Sequence, residues 1–306
     1  MLQHLADGLV IGSIVALGAI GVTLTYAMLR FANFAHGEYL AWGAYLALTA
    51  LGVAHGLVGG PGTPFGPFSF GWPLLAALAL AAPLTAGLAL LLDWALFARL
   101  GRHGTSIVLV IASFGASLAL RNLLFFVFGG VPEYYGREIQ MALPLVPRNV
   151  LGGLRVTPDQ LLVLGVMAAL VVALHLLLTR TTLGRAMRAV SENPTLASVT
   201  GIDVASVIRW VWVIGAGLAA VAGVMAGLVI QLRPTMGFDL LLPLFAAAIL
   251  GGIGSVYGAV LGGLIVGLAE SLAVPLIGAE YRAAVAFLIL IAILLVRPTG
   301  IMGERP

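Results

Sequence analysis

The chain is 306 residues long, 61% hydrophobic and 9% charged, with a net charge of +3 and a mean hydropathy of +1.12. Because a soluble domain carries about 25% charged residues, this composition indicates a polytopic integral membrane protein. All fifteen Lys and Arg positions are Arg, so the chain lacks the P-loop lysine of a conventional ATPase. The absence of Cys excludes thiolate catalysis and Cys-ligated zinc. Arginines in loops explain the positive charge better than nucleic-acid binding does.

Apolar stretches of about 20 residues predict roughly nine membrane spans along the chain. They are 8–28, 39–57, 72–98, 105–128, 159–178, 207–231, 240–253, 259–277 and 281–296. The first stretch lacks a preceding basic segment and is too long for a cleaved signal peptide, so we interpret it as a true span. The seventh is short and Gly-rich, which leaves a broken or re-entrant helix open beside a full crossing. We therefore predict an all-α fold, a polytopic transmembrane helical bundle of about eight to ten spans in a single domain over 1–306.

Arginines in the short loops all fall on one side of this scheme. They are Arg30, Arg99, Arg102, Arg180, Arg185, Arg188, Arg209, Arg297 and Arg305. Since cytosolic loops carry an excess of basic residues, we predict that the N-terminus lies outside and the C-terminus in the cytosol. Spans one to four and six to nine then have opposite orientations, which suggests an inverted repeat, although no sequence identity between the halves supports it.

The segment Phe31–Tyr45 joins the first two spans and interrupts their apolar pattern with Asn33, His36 and Glu38. These residues suit a polar turn that caps the second helix, with Asn33 or His36 bonding to free backbone groups. Further polar residues within the predicted spans are Ser113, Ser117 and Asn122. We regard all six as candidates for the lining of a membrane pathway.

Ionisable residues inside spans are costly unless they are paired or face water. Arg121 in the fourth span and Glu270 in the eighth have similar predicted depths, so we predict an ion pair between them, with contact to a substrate as the alternative. Asp93 lies near the cytosolic end of the third span, within predicted reach of Arg99 or the membrane interface. No H-E-x-x-H, G-x-S-x-G or Ser-His-Asp pattern indicates an enzyme, and we predict no metal or cofactor site.

A polar loop at 179–206, here called the arm, carries helix signals and lies on the predicted cytosolic side. Helix-forming residues around Arg185 lead to Pro194, which must break or restart the helix. A second short helix, Thr195–Thr200, then ends at Gly201. Two short helices at an angle offer a surface to a soluble partner, and a solvated connector without a partner is the alternative.

Glycines are concentrated near the predicted end of the seventh span and in the eighth. They are Gly251, Gly252, Gly254, Gly258, Gly262, Gly263 and Gly267. Their four-residue spacing predicts one helix face on which a neighbouring backbone packs closely. A turn around Ser255 that lines the inner mouth of a pore, or that supports a dimer interface, remains an alternative.

Four blocks of sequence carry a resemblance to a known family. They are N-F-A-H-G followed by G-A-Y within Phe31–Tyr45, ENPTLASVTGID, LGGIGSVYGAVLGG and the terminal RPTGIMG. In this order, and over about 8–303, the chain resembles the permease subunits of bacterial branched-chain amino acid ABC importers, in particular the smaller of two homologous permeases. Relatives often carry a Lys near Pro243–Phe245, and this chain has none there.

The resemblance implies a set of partners and a role for the arm. It implies two ABC ATPase subunits, a homologous second permease, and a periplasmic or lipid-anchored solute-binding protein around a chain that is itself no enzyme. Glu192, Ala197 and Gly201 resemble the coupling element through which such permeases touch their ATPases. The whole candidate coupling set is Gly184, Arg185, Arg188, Glu192, Asn193, Ala197, Gly201 and Ile202.

The sequence leaves alternatives open for the cargo and for the class of transporter. The resemblance implies import of amino acids across a bacterial or archaeal plasma membrane, while close relatives move urea or short amides. The few polar residues deep in the predicted spans indicate a weak, transient site in the permease, and walls of Ala, Val, Leu and Phe favour branched-chain or other apolar amino acids. An ion-coupled secondary transporter that uses Asp93 or Glu270 is a second class. An intramembrane enzyme is a third, which the missing catalytic set disfavours.

Overall fold

The computed structural model describes residues 1–58, 65–101, 105–136, 142–147, 153–297 and 299–303. Arg102, Glu138 and Arg305 lie outside these ranges. The described helices in chain order are α1 (Leu2–Leu29), α2 (His36–Val58), α3 (Trp72–Leu92), α4 (Ala98–Leu100), α5 (Ser106–Phe128), α6 (Pro158–Arg180), α7 (Thr182–Glu192), α8 (Pro194–Val199), α9 (Val204–Val229), α10 (Met236–Gly251), α11 (Val256–Ile277) and α12 (Arg282–Val296). A π-helical turn, Asp93–Phe97, joins α3 to α4, and a short 3₁₀ turn precedes α12.

Eight helices of the described part are long and apolar enough to cross a membrane. The predicted all-α polytopic bundle is therefore confirmed. The span predicted to begin at residue 8 begins at Leu2 instead. The polar residues Gln3 and Asp7 indicated a segment outside the span. In the structure they belong to the first turns of α1, where Gln3 Nε2 donates to Asp7 Oδ1 at 3.1 Å along the same helix face.

The predicted seventh span is α10, and its 16 residues make it shorter than the eight candidate spans of the described part, the last of which is α12 together with its preceding 3₁₀ turn. At 1.5 Å per residue it is about 24 Å long, less than the roughly 30 Å hydrocarbon core. It is one continuous helix despite Pro243, so the alternative of a broken helix is wrong. α10 packs antiparallel to α11, with Ala247 against Gly262 and Gly251 against Gly258.

The most extensive helix packing in the bundle joins α1 to α11. A Cβ atom added at Gly12 would lie 2.9 Å from the Cα of Leu264, and one added at Gly8 would lie 2.9 Å from the Cα of Leu268. Since real side chains do not approach so closely, only glycine permits this backbone contact. α1 is accordingly buried along most of its length and forms the centre of the bundle.

Contacts of α1 and α10 place the arm and the C-terminal tail at one end of the bundle. Arg30, at the end of α1, bonds to the arm at Ser191. The tail joins the end of α10 through Ile301 N to Leu250 O, at 2.8 Å, and through Met302 N to Gly251 O, at 2.9 Å. Since α11 starts beside the end of α10 and runs antiparallel to α1, both contacts lie at the same end. We call it the arm end and the opposite one the outer end; their placement relative to the cytosol remains a prediction.

Short strands and bridges close the outer end. β1 (Leu143–Val146) pairs antiparallel with β2 (Leu154–Val156), and Glu133 forms an isolated bridge with Leu232. The Ser69 hydroxyl donates to Asp159 in the first turn of α6. These contacts tie the connections between spans to one another, and the hydrophobicity pattern gave no indication of them.

Candidate coupling arm and membrane pathway

The first arm helix, α7, folds back against the end of α6. The Thr181 side chain caps α7 by accepting a hydrogen bond from Gly184 N at 3.0 Å. A Cβ atom at Gly184 would lie 2.5 Å from the Cα of Leu178, so the close approach requires glycine. Arg188 Nη1 donates to the Leu178 carbonyl at 2.5 Å. The α6–α7 corner is therefore held by the side chains of Thr181, at the corner, and of Arg188, on α7.

The junction between the two arm helices is a single residue. Asn193 is extended, at φ −150° and ψ 98°, and its side chain caps α8 by accepting from Leu196 N at 3.0 Å. Pro194 occupies the first position of α8, where a missing N–H costs nothing. After α8, Gly201 has φ +89°, and Ile202 N donates to Ala197 O at 3.1 Å. Both predicted arm helices are present, although α7 begins earlier than the sequence pattern indicated and α8 lies one residue earlier than the predicted Thr195–Thr200.

The arm buries one face and exposes another. Met187, Val190 and Ala197 are buried against the bundle, at 4% exposure or less. Leu196 is 61% exposed and Val199 is 80% exposed, and these two residues form the tip of α8. Arg185, Arg188 and Glu192 on α7 and Asn193 between the two helices are exposed as well, and we call these four residues the rim of the arm. The result is a small apolar tip with a charged rim, and its i, i+3 spacing in P-T-L-A-S-V is the sequence signal that the prediction missed.

Two polar contacts connect the arm to neighbouring spans. Arg30 Nη2 donates to the Ser191 carbonyl at 2.6 Å. Asp203 caps α9 through Ser206 N at 3.1 Å and lies 3.8 Å from the Arg209 guanidinium. The arm is thus joined to α1 near the end of α7 and to α9 after α8.

The α1–α2 junction is a capped helix start, as the sequence predicted. Asn33 Oδ1 accepts from Ala35 N at 3.1 Å, and Ser113 Oγ on α5 accepts from Phe34 N at 3.0 Å. His36 Nε2 bonds to the Gly18 carbonyl at 3.1 Å. These side chains satisfy backbone groups that lie inside the bundle, where no lipid group is able to do so.

Glu38 is buried between α2 and α5. Ser117 Oγ donates to Glu38 Oε1 at 3.1 Å, and both residues are 1% exposed. Oε2 of Glu38 has no hydrogen-bond partner among the described residues. Asn122, in contrast, is exposed and donates to the Leu118 carbonyl of its own helix at 2.7 Å, so it lies apart from this group.

The predicted ion pair between Arg121 and Glu270 is wrong. The Arg121 guanidinium instead lies over the Phe238 ring, with Cζ 4.4 Å from the centroid, and Glu270 interacts electrostatically with Arg282. Within the described ranges, the ion pair formed within 4.0 Å is Arg209–Asp203. Equal predicted depth of the two residues in the membrane did not make them neighbours, because α11 packs on α1, α10 and α12 and not on α5.

Asp93 also differs from its predicted contact. The Arg99 guanidinium stacks over Trp94, with Cζ 4.7 Å from the ring centroid, and Asp93 instead interacts electrostatically with Arg209 of α9. Asp93 begins a π-helical turn and lies six residues before Arg99, whereas side chains on a helix meet at a spacing of three or four residues.

The glycines around α11 form two packing faces, so the predicted single face is wrong. Gly258 and Gly262 meet α10, whereas Gly263 and Gly267 meet α1. Gly251 lies against Gly258, and Gly252 lies against the tail residue Gly303. Gly254 has φ +98°, and no atom lies within 4 Å of a Cβ added there. Ser255 caps α11 by accepting from Gly258 N at 3.0 Å. The contacts within the chain support the packing interpretation for all of these glycines except Gly254.

A polar cavity of about 270 Å³ opens at the outer end. Ser69, Tyr134, Tyr135, Asp159 and Gln160 line it together with the last turn of α9. Tyr135 Oη donates to the Ala44 carbonyl at 2.8 Å, and burial raises the pKa of Tyr135 well above its ordinary value. Its hydroxyl therefore stays protonated and fixes the outer loop against α2.

Comparisons with known proteins agree with the resemblance seen in the sequence. The family model described as "Branched-chain amino acid transport system / permease component" matches residues 4–294. The permease protein BraD of Pseudomonas aeruginosa, from a high-affinity branched-chain amino acid transport system, is 35% identical over 99% of this chain and 96% of its own length. LivH of Escherichia coli K12, from a system of the same name, is 34% identical with the same coverage.

An archaeal relative and one solved structure complete the comparison. The probable branched-chain amino acid transport permease protein LivH of Methanocaldococcus jannaschii is 30% identical over 98% of this chain and 91% of its own length. The solved structure of PsaBC from Streptococcus pneumoniae in complex with Fab covers 96% of this chain and 91% of its own, at 14% identity and a TM-score of 0.49. That likeness is too weak to say anything about this protein.

Proposed function

This chain belongs to the branched-chain amino acid transport permease family, and we propose that it forms the translocation pathway for branched-chain or other apolar amino acids in an ATP-binding-cassette importer of a bacterial or archaeal plasma membrane. The observation that carries the coupling role is the arm: two short helices, held at both corners, that expose Leu196 and Val199 in a charged rim. An exposed apolar tip that the bundle does not cover favours a soluble partner.

The proposed partners follow from what this chain does not supply. It has no P-loop lysine, so ATP hydrolysis belongs to two ATPase subunits that contact the arm through Glu192, Ala197, Gly201 and their neighbours. A second, homologous permease completes the pathway. A periplasmic or lipid-anchored binding protein delivers the amino acid at the outer end, and it holds the tight binding site.

The proposed mechanism is alternating access driven from the arm. Closure of the ATPases on ATP moves α7 and α8, and the movement passes to α1 through Arg30 and to α9 through the Asp203 cap. Because α1 packs closely on α11, these helices move as one body. The pathway between the two permeases then opens to one side of the membrane at a time.

The relatives' names and the walls of the bundle both support an apolar amino acid as the cargo. The high-affinity systems of BraD and LivH are named for branched-chain amino acids. The helices of this chain are walled by Leu, Val, Ala and Phe, which suits a Leu, Ile or Val side chain better than it suits urea. Urea or a short amide remains the second candidate cargo.

Uptake by the assembled complex tests this proposal. Proteoliposomes that contain both permeases, the ATPases and the binding protein are supplied with labelled leucine, valine, urea or acetamide, and initial rates are measured with ATP inside. We expect ATP-dependent uptake of leucine and valine. Uptake of urea without leucine would overturn the cargo, and full uptake with arm variants that no longer bind the ATPases would overturn the coupling role.

A further inference from the structure

Side chains rather than backbone connect α5 to α10. The backbone of α10 packs on α1, α2, α11 and α12, whereas α5 packs on α2 and the π-helical turn. Phe34 spans the interval, with its ring centroid 6.1 Å from that of Phe114 on α5 and 5.3 Å from that of Phe245 on α10. Further along, Arg121 of α5 lies over Phe238 of α10. We call the space between these two bridges the α5–α10 groove.

The two ends of the α5–α10 groove differ in chemistry. Phe114 and Arg121 are separated by seven residues along α5, as are Phe245 and Phe238 along α10, so the bridges are about 10 Å apart. Three aromatic rings form the bridge nearer the arm end. The bridge nearer the outer end carries the Arg121 cation, and the carboxylate of Asp239 follows Phe238 in the first turn of α10.

The charges at the outer bridge are not neutralised by close ion pairs. Within the described ranges, no carboxylate lies within 4.0 Å of the Arg121 guanidinium. Asp239 is exposed, and its Oδ2 accepts from the Thr235 hydroxyl at 3.1 Å. The buried Glu38 interacts electrostatically with both Arg121 and Asp239, and its own Oε2 lacks a hydrogen-bond partner in the described part. Charges at such a place in a membrane protein face water, a partner or a ligand, because lipid tails do not solvate them.

Side chains along the α5–α10 groove are exposed in this chain. Phe238 is 44% exposed, Phe114 is 46% exposed and Leu118, which lies between Phe114 and Arg121 on the same stripe of α5, is 38% exposed. A molecule that enters this space therefore meets a cation and an anion at one end and aromatic carbon at the other.

We infer that the α5–α10 groove is a transient binding site for a zwitterionic amino acid with an apolar side chain, in which Arg121 receives the carboxylate and Asp239 the ammonium. The inference rests on the proposed function, and it gives the place in the chain where the transported amino acid binds. A guanidinium binds a carboxylate through two parallel hydrogen bonds. Asp239, the residue after Phe238 on α10, supplies the opposite charge, and the apolar side chain then points along α5 toward Leu118 and Phe114. Asp239 is exposed and Arg121 is partly exposed, which keeps the site weak, as a pathway requires.

The absence of Cys from this chain permits a direct test by protection from labelling. Leu118→Cys places a single thiol in the groove, and Leu123→Cys places one on the same helix at a residue of similar exposure, pointing away from Arg121. The full complex in nanodiscs is treated with a maleimide, with and without millimolar leucine. We expect leucine to slow labelling of the Leu118→Cys variant and not of the Leu123→Cys variant.

Analogues and variants then identify which groups do the binding. Isoamylamine lacks the carboxylate and 4-methylpentanoate lacks the ammonium, and we expect each to protect at least about tenfold less well than leucine. Arg121→Gln and Asp239→Asn are expected to abolish protection. Arg155→Gln, which removes an exposed cation from β2 at the outer end, is the matched control and is expected to preserve it.

Other outcomes have defined meanings. Equal protection by leucine and by both analogues would overturn the zwitterion site and leave an apolar groove. A second reporter variant, Phe125→Cys, is labelled in the same way. If leucine protects neither the Leu118→Cys variant nor the Phe125→Cys variant, the site is overturned altogether. Uptake of leucine by the wild-type complex is measured in parallel: if uptake occurs without protection, the groove inference alone fails, whereas absence of leucine uptake is a failure of the proposed function.

Discussion

The Arg30 guanidinium donates a 2.6 Å hydrogen bond to the carbonyl of Ser191, which joins the end of the first membrane helix to the arm. Arg30 itself has φ +56° and caps α1, with its N–H bonded to the Tyr26 carbonyl. One residue therefore ends a central helix of the bundle and holds the helix that is proposed to meet the ATPases. This contact connects the arm to the glycine-packed α1–α11 pair.

We predict that Arg30→Gln slows uptake about threefold to tenfold without preventing assembly, because it removes a charged hydrogen bond of an exposed group. Leucine uptake and ATPase co-purification are measured on the same preparation. Arg297→Gln removes another exposed cation from the arm end and is expected to behave like the wild type. A loss of uptake of the same size in both variants would show that general charge, and not the Ser191 contact, is responsible.

Glu192→Arg and Gly201→Arg are expected to prevent ATPase binding or to uncouple ATP hydrolysis from uptake, while the bundle stays folded. Glu192 is exposed on the rim of the arm, and Gly201 has φ +89°, which any L side chain adopts at a cost. Co-purification and the ratio of ATP hydrolysed to leucine taken up are the measurements. Glu280→Arg makes the same charge change before α12, at the outer end. Wild-type coupling in both arm variants would contradict the docking assignment.

Neutralising Arg121 and Glu270 is expected to have additive effects on thermal stability in detergent, with a coupling energy within about 0.5 kcal/mol of zero. The reason is that the two residues do not meet: Arg121 lies over Phe238, and Glu270 is near Arg282. The matched cycle of Glu270→Gln with Arg282→Gln is expected to show coupling. A strong coupling between Arg121 and Glu270 instead would contradict the helix arrangement.

Gly263→Val is expected to destabilise the bundle by about 1–3 kcal/mol or more, because the new side chain meets the backbone of α1 at Ala16. Gly217→Val adds the same side chain to α9 at a position with no atom within 4 Å of the new Cβ, so we expect a change near zero. Unfolding temperatures of the two purified variants give the comparison. Equal loss at both positions would contradict the role given to the α1–α11 contact, because valine is no worse a helix former than glycine.

The sequence predicted the elements of this fold better than their neighbours. Apolar length and Pro and Gly signals were sufficient for the spans, the short α10 and the two arm helices, because each depends on local chain properties. The partner of Arg121 depends on which helices are adjacent, and equal depth along the membrane does not determine that. The groove was missed for the same reason: Phe34, Phe114 and Phe245 are far apart in sequence and meet only because α2 starts between α5 and α10.

The energy source of uptake is the most direct test of the account, because it separates an ATP-driven importer from an ion-coupled transporter that uses Asp93 or Glu270. Proteoliposomes with the full complex and leucine-loaded binding protein receive either ATP without an ion gradient, or a proton or sodium gradient without ATP. The account predicts leucine accumulation with ATP alone and none with either gradient. Accumulation driven by a gradient in the absence of ATP would contradict it.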